Sequence, residues 1–165
     1  MMNISVYVHA ITIDPDTNSP IMILKETGGD RTLPIWIGLL EATAIATEME
    51  KIEFSRPMTH DLLINILNAA GIEVIRVEVS AMKDNTYYAL VAMRHGDKEV
   101  HVDARPSDAV AIALRAGVEI LVNESIIRQV QSSSDQISAG KGVADQKSWA
   151  EILDELDPGD FKYKM

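Results

Sequence analysis

Between Asn3 and Ile13 the chain alternates Ile4, Val6 and Val8 with polar or aromatic partners, the period-two pattern of a strand with one buried face. Asp14-Pro15-Asp16-Thr17-Asn18-Ser19-Pro20 is dense in turn formers. A short apolar strand from Ile21 to Leu24 follows, and Gly28-Gly29-Asp30 turns it into a third strand, Arg31 to Ile37. Gly38 then opens a helix from Leu39 to about Ile52, with Glu41 at its third position. Ser55-Arg56-Pro57-Met58 interrupts the pattern, Thr59 is placed to cap a second helix, and Gly71 ends it. Glu73 to Ala81 and Thr86 to Arg94 form a hairpin around Asp84-Asn85, and His95-Gly96-Asp97 leads into a strand that ends at Asp103. Pro106 suits the first position of a third helix, where the N–H it lacks would have no partner, and Gly117 stops that helix. Ile120 to Val122 reads as a short strand and Glu124 to about Val130 as a brief helix.

The pattern repeats. Shifted by 67 residues, Glu41-Ala42-Thr43-Ala44-Ile45-Ala46 falls on Asp108-Ala109-Val110-Ala111-Ile112-Ala113, and the Gly29-Asp30 turn falls on Gly96-Asp97. The first strands of the two halves align less well, because their apolar phases differ over part of their length. The expected fold is α+β: internally duplicated β-β-β-α units sharing a mixed or antiparallel sheet, with the Thr59 helix inserted between the copies. The copies differ in chemistry, since Trp36 lies opposite Asp103, Gly38 opposite Arg105 and Leu40 opposite Ser107.

Residues 1–130 suit one compact domain. Residues 131–148, rich in Ser, Gly and Asp, read as a flexible linker or loop. Residues 149–165 begin with Trp149, Ile152, Leu153 and Leu156 on one helical face, an amphipathic helix and tail too short to fold alone.

Composition narrows the chemistry. The absence of cysteine excludes disulfides, thiolate zinc sites and cysteine nucleophiles. No apolar run reaches membrane-spanning length and the first residues do not look like a secretion signal, so no membrane partner is expected and the cytoplasm is the default address. With 25 acidic and 15 basic residues the net charge is −10, which argues against a protein that coats nucleic acid through many phosphate contacts. A local cationic patch, or a metal held by carboxylates, is compatible with that charge.

Two polar helix starts stand out. In the first, Arg56-Pro57-Met58-Thr59-His60-Asp61, His60 can serve as general base or metal ligand, Asp61 as a second ligand and Arg56 as a phosphate clamp. In the second, Asp103-Ala104-Arg105-Pro106-Ser107-Asp108, either carboxylate can bind a divalent cation while Arg105 contacts phosphate. His101 leaves the same strand face as Asp103 and extends that option. The same residues also make ordinary helix caps with surface ion pairs, and the sequence leaves both readings open. There is no phosphate-binding glycine loop, no nucleophile elbow and no dinucleotide fingerprint, so no organic cofactor is expected.

Three ordered motifs, Leu33-Pro34-Ile35-Trp36-Ile37-Gly38 with Glu41-Ala42, Arg56 through Leu63, and Asp103 through Ala109, resemble the bifunctional nuclease family, from about Met1 to Arg128. The resemblance implies a compact, internally duplicated α+β fold, a homodimer or higher homo-oligomer, and nuclease activity on RNA and DNA. Within it, chemistry assigns His60, Asp61, Asp103 and Asp108 as catalytic candidates. Arg56, Arg105 and Ser107 are the substrate-binding candidates, and Asp103, Asp108 and Glu41 the ligands for Mg²⁺ or Mn²⁺. The rival expectation is a non-catalytic, dimeric binding or regulatory module whose helix N-termini hold an anion. The catalytic reading requires the two polar helix starts to converge.

Overall fold

The computed structural model describes residues 2–134. Strands β1 (Asn3–Ile13), β2 (Pro20–Glu26) and β3 (Thr32–Trp36) lead into helix α1 (Leu39–Met49), and α2 (Thr59–Ala69) follows. Strands β4 (Ile72–Lys83), β5 (Thr86–His95) and β6 (Lys98–Ala104) lead into α3 (Pro106–Ala116), and β7 (Glu119–Asn123) and α4 (Glu124–Ser134) complete the described chain. One seven-stranded sheet runs β3-β2-β1-β7-β4-β5-β6. Neighbours are antiparallel except β4 and β7, which are parallel. The fold is α+β. With the offset of 67 the bounds of α1 fall on those of α3, and β2 and β3 fall on β5 and β6 to within a residue or two.

Register explains the single core. Val8 lies opposite Leu24, Met22 opposite Ile35, Ile4 opposite Val122, and Val77 opposite both Ile120 and Val91. All are buried and share one face of the sheet. Ala42, Ile45 and Ala46 of α1, the run Ala109–Ala113 of α3, and Ile126 and Ile127 of α4 close over that face. The alanines let α1 and α3 approach each other and the sheet closely. The other face carries Tyr7, Trp36, Tyr88, His101 and Asp103, all exposed.

Helix ends follow the chemistry of their residues. Pro106 and Gly117 take the expected places, Gly117 with a φ of +66° that glycine adopts without strain. At α2 the cap is Met58 rather than Thr59, and the Asp61 carboxylate accepts from the Met58 N–H at 2.9 Å. The last helix runs to Ser134, beyond the expected end near Val130 and into the stretch read as linker. The rest of that stretch, and the expected amphipathic segment at 149–165, lie outside the described residues.

Candidate active site

β3 and β6 form opposite edges of the sheet, six strand spacings apart, or roughly 29 Å in a flat sheet. Yet Arg105, directly after β6, donates from Nη1 to Oε1 of Glu41, just past the end of β3, at 2.8 Å. Sheet coiling and the inward turn of both helices close that gap. The starts of α1 and α3 therefore meet, and α2 brings a third start beside them.

Arg105 is the hub. Its Nε donates to Asp108 Oδ2 at 2.7 Å, and Asp108 Oδ1 lies 3.0 Å from His60 Nε2. The chain Glu41–Arg105–Asp108–His60 thus links the first turns of all three helices. Burial alone would raise the Asp108 carboxyl, but hydrogen bonds from Arg105 and His60 outweigh it and hold the group below its ordinary range. Its bond to Asp108, followed by the bond to Glu41, strengthens the hold of Arg105 on its proton against the opposing effect of burial. With Asp108 ionised, a neutral His60 must carry its hydrogen on Nε2, which leaves Nδ1 as a proton acceptor. The Arg105 side chain is 65% exposed, and a guanidinium has more N–H donors than these two bonds use.

Gly38 makes room for the hub. A side chain there would run into the Glu41 carboxylate, which Arg105 holds in place. The requirement is for space, since its φ of −78° is open to any residue.

Beside the hub lies an open cavity of about 310 Å³ lined by both halves of the chain. Trp36, Gly38 and Glu41 line it from one side; Tyr87, Arg105 and the buried Ser107 line it from the other. Burial pushes the Tyr87 phenol up, so it is a neutral hydroxyl at working pH.

The structure thus unites Glu41, His60, Arg105, Ser107 and Asp108. Asp61 joins them indirectly: Arg115 Nε donates to its Oδ1 at 2.6 Å while its Oδ2 is taken by Met58, so both oxygens are engaged. Burial opposes ionisation of Asp61, and these two donors overcome it. Arg115, 7% exposed, also donates to the carbonyls of Ala111 and Ala44, tying α1, α2 and α3 together. The sequence reading overlooked this residue; its one signal is a lone cation in the last turn of an alanine-rich helix.

Two candidates stand apart. Arg56 is exposed and lines no part of the cavity. Asp103 pairs in register with Leu90 and faces the uncovered side of the sheet, away from the helix layer that holds His60. His101, on that same side, bonds Glu99 at 2.8 Å. The expected triad of Asp103, Asp108 and Glu41 is therefore not assembled. Among the described residues no three His, Asp or Glu side chains are grouped to hold a metal ion. The position between Glu41 and Asp108 belongs to the Arg105 guanidinium, so the residues do not fit a preformed metal centre.

Comparison with known proteins points one way. The profile of the bifunctional nuclease domain matches residues 22–135. An uncharacterized protein of Mycobacterium tuberculosis is 38% identical over 162 residues, 95% of this chain and 97% of its own length. Bifunctional nuclease 2 of Arabidopsis thaliana is 32% identical over 110 residues, 65% of this chain but 33% of the plant protein. Bifunctional nuclease 2 of Oryza sativa subsp. japonica is 28% identical over 130 residues, 73% of this chain and 40% of its own.

Proposed function

This chain belongs to the bifunctional nuclease domain family, and from that premise we propose that it hydrolyses phosphodiester bonds of RNA and DNA where the starts of α1, α2 and α3 meet. The observation that carries the reading is the His60–Asp108–Arg105 chain, which reaches the cavity through Arg105. DNA has no 2′-hydroxyl to attack its own phosphate, so this reading takes water as the nucleophile common to both polymers. His60 Nδ1 would accept the proton of that water as its oxygen bonds to phosphorus and the P–O bond to one sugar breaks, the departing sugar oxygen taking a proton from solvent. Asp108 would orient the ring and stabilise the imidazolium, which then returns its proton to solvent. The free N–H groups of Arg105 would bind the phosphate as negative charge builds on its oxygens, with the Ser107 hydroxyl as a second donor. Asp61 becomes a positioning residue in this scheme, holding α2 so that His60 faces Asp108.

Mg²⁺ or Mn²⁺ has only a weak place in this proposal. The site offers two carboxylates already shared with Arg105, so no tight binding of either ion to the free protein is expected. We also propose a cytoplasmic location and a homodimer or higher homo-oligomer. Half-exposed Phe54, Met58, Leu62 and Ile66 on and around α2 support association, and among the described residues no helix is long and apolar enough to cross a membrane.

The test is cleavage of end-labelled single-stranded RNA and DNA, with and without Mg²⁺ or Mn²⁺, by wild type and His60→Ala. Wild type should cleave both, and the variant should lose about 10²–10⁴-fold in rate, the usual worth of a positioned acid–base group. The rival reading, a non-catalytic dimeric binding or regulatory module whose helix N-termini hold an anion, draws on the pairing of Glu41 and Asp108 with Arg105. It predicts equal, background-level cleavage by both proteins.

A further inference from the structure

Trp36 is not explained by the fold. It is the last residue of β3, and its strand neighbours Leu33 and Ile35 do the burying while its own side chain stays 55% exposed. Leaving so large an apolar surface in water is unfavourable, and a structural role would bury it. Instead the ring is fixed in place, its indole N–H donating to Asp14 Oδ2 at 3.0 Å. Trp36, at the end of its strand, is among the residues that line the cavity with Arg105 and Ser107. The corresponding residue of the second half, 67 positions on, is Asp103, which lines no part of the cavity. Of this pair of corresponding positions, only Trp36 lines the cavity.

We propose that Trp36 is a stacking platform for one unpaired nucleobase, so that the substrate class of this site is single-stranded nucleic acid. The inference rests on the nuclease reading and adds to it the form of polymer the site accepts. An exposed aromatic residue and a cation lining one cavity form the pairing that binds bases irrespective of sequence, the ring taking the π-face and the cation the phosphate. At about 310 Å³ the cavity is at the small end of ligand sites and suits one nucleotide unit. Bases inside a duplex are stacked on one another and cannot present a face to the ring without being extruded.

The chain has two tryptophans, Trp36 and Trp149, so Trp149→Phe leaves Trp36 as the reporter. That protein is titrated with a short single-stranded oligothymidylate and separately with a blunt duplex of equal length, and fluorescence is followed. The single strand should quench Trp36 saturably and bind more tightly than the duplex. In parallel, anisotropy of labelled oligothymidylate should show Trp36→Ala binding about 5–100-fold more weakly, the worth of one stacked base, and Trp36→Phe recovering most of the affinity. Unchanged affinity in Trp36→Ala, or equal binding of the duplex, overturns the stacking role and leaves the nuclease reading standing. A protein that neither binds nor cleaves any nucleic acid defeats both. A blue shift of Trp36 on concentrating the protein alone assigns the ring to a contact between copies and also overturns it.

Discussion

Asp108 shows how one side chain serves two purposes. At the third position of α3 it meets the positive end of the helix, and each of its oxygens takes a partner, Arg105 on one and His60 on the other. The helix position was legible from Pro106 and the residues after it. The histidine partner, 48 residues away, was not, because nothing local encodes which helix start packs beside which. The depressed carboxyls have a consequence for stability. Asp108 and Asp61 both ionise more readily in the folded state than at the ordinary aspartate value of 3.8. A group shifted down in this way stabilises the fold above its unfolded value and ceases to do so as pH falls through the folded one. Thermal unfolding should hold steady from neutral pH to near 3.8 and decline only below it, with a smaller acid-limb decline in Asp108→Asn. A decline that starts well above the carboxylate range would show that these two carboxylates do not govern acid stability.

Among the described helices, α2 is the least anchored by apolar contact. None of its residues is fully buried, although Ile64 and Leu67 pack partly against the core. Its place is set by a polar strut from Arg115 to Asp61, reinforced by bonds from Arg115 to the Ala44 and Ala111 carbonyls. Replacing Arg115 by Leu strands those acceptors and one carboxylate. The cost should be roughly 2–4 kcal/mol, less than for a fully buried pair because Asp61 is a third exposed. Urea unfolding measures the loss, and amide exchange in α2 should quicken more than in α3. A loss below about 1 kcal/mol would mean that apolar contacts, not the strut, seat the helix. Most strand and helix identities were readable from periodicity because those elements, β1 and α3 among them, bury one face. The ends were less so: Thr59 looked like a cap but is the first helical residue, and the bond at this end is the one Asp61 accepts from the N–H of the cap residue Met58.

At the scale of the molecule, strand order was the part the sequence could not reveal. Alternation shows which face of a strand is buried but not its neighbour, so the insertion of β7 between β1 and β4 had no local signature. Neither did the coiling that brings the residues after β3 and β6 together. That geometry divides the sequence candidates: Glu41, His60, Arg105 and Asp108 share the helix side, while Asp103, two residues from Arg105, faces the other way. With a net charge of −10 the molecule as a whole repels phosphate, so any hold on a nucleic acid must be as local as Arg105 and its surroundings. The direct test is a side-by-side cleavage assay of identically purified wild type, Asp108→Asn and Asp103→Ala on labelled single-stranded RNA and DNA. The account predicts that Asp108→Asn loses about 10²-fold or more in rate while Asp103→Ala cleaves like wild type. Full activity in Asp108→Asn, or loss confined to Asp103→Ala, would contradict it.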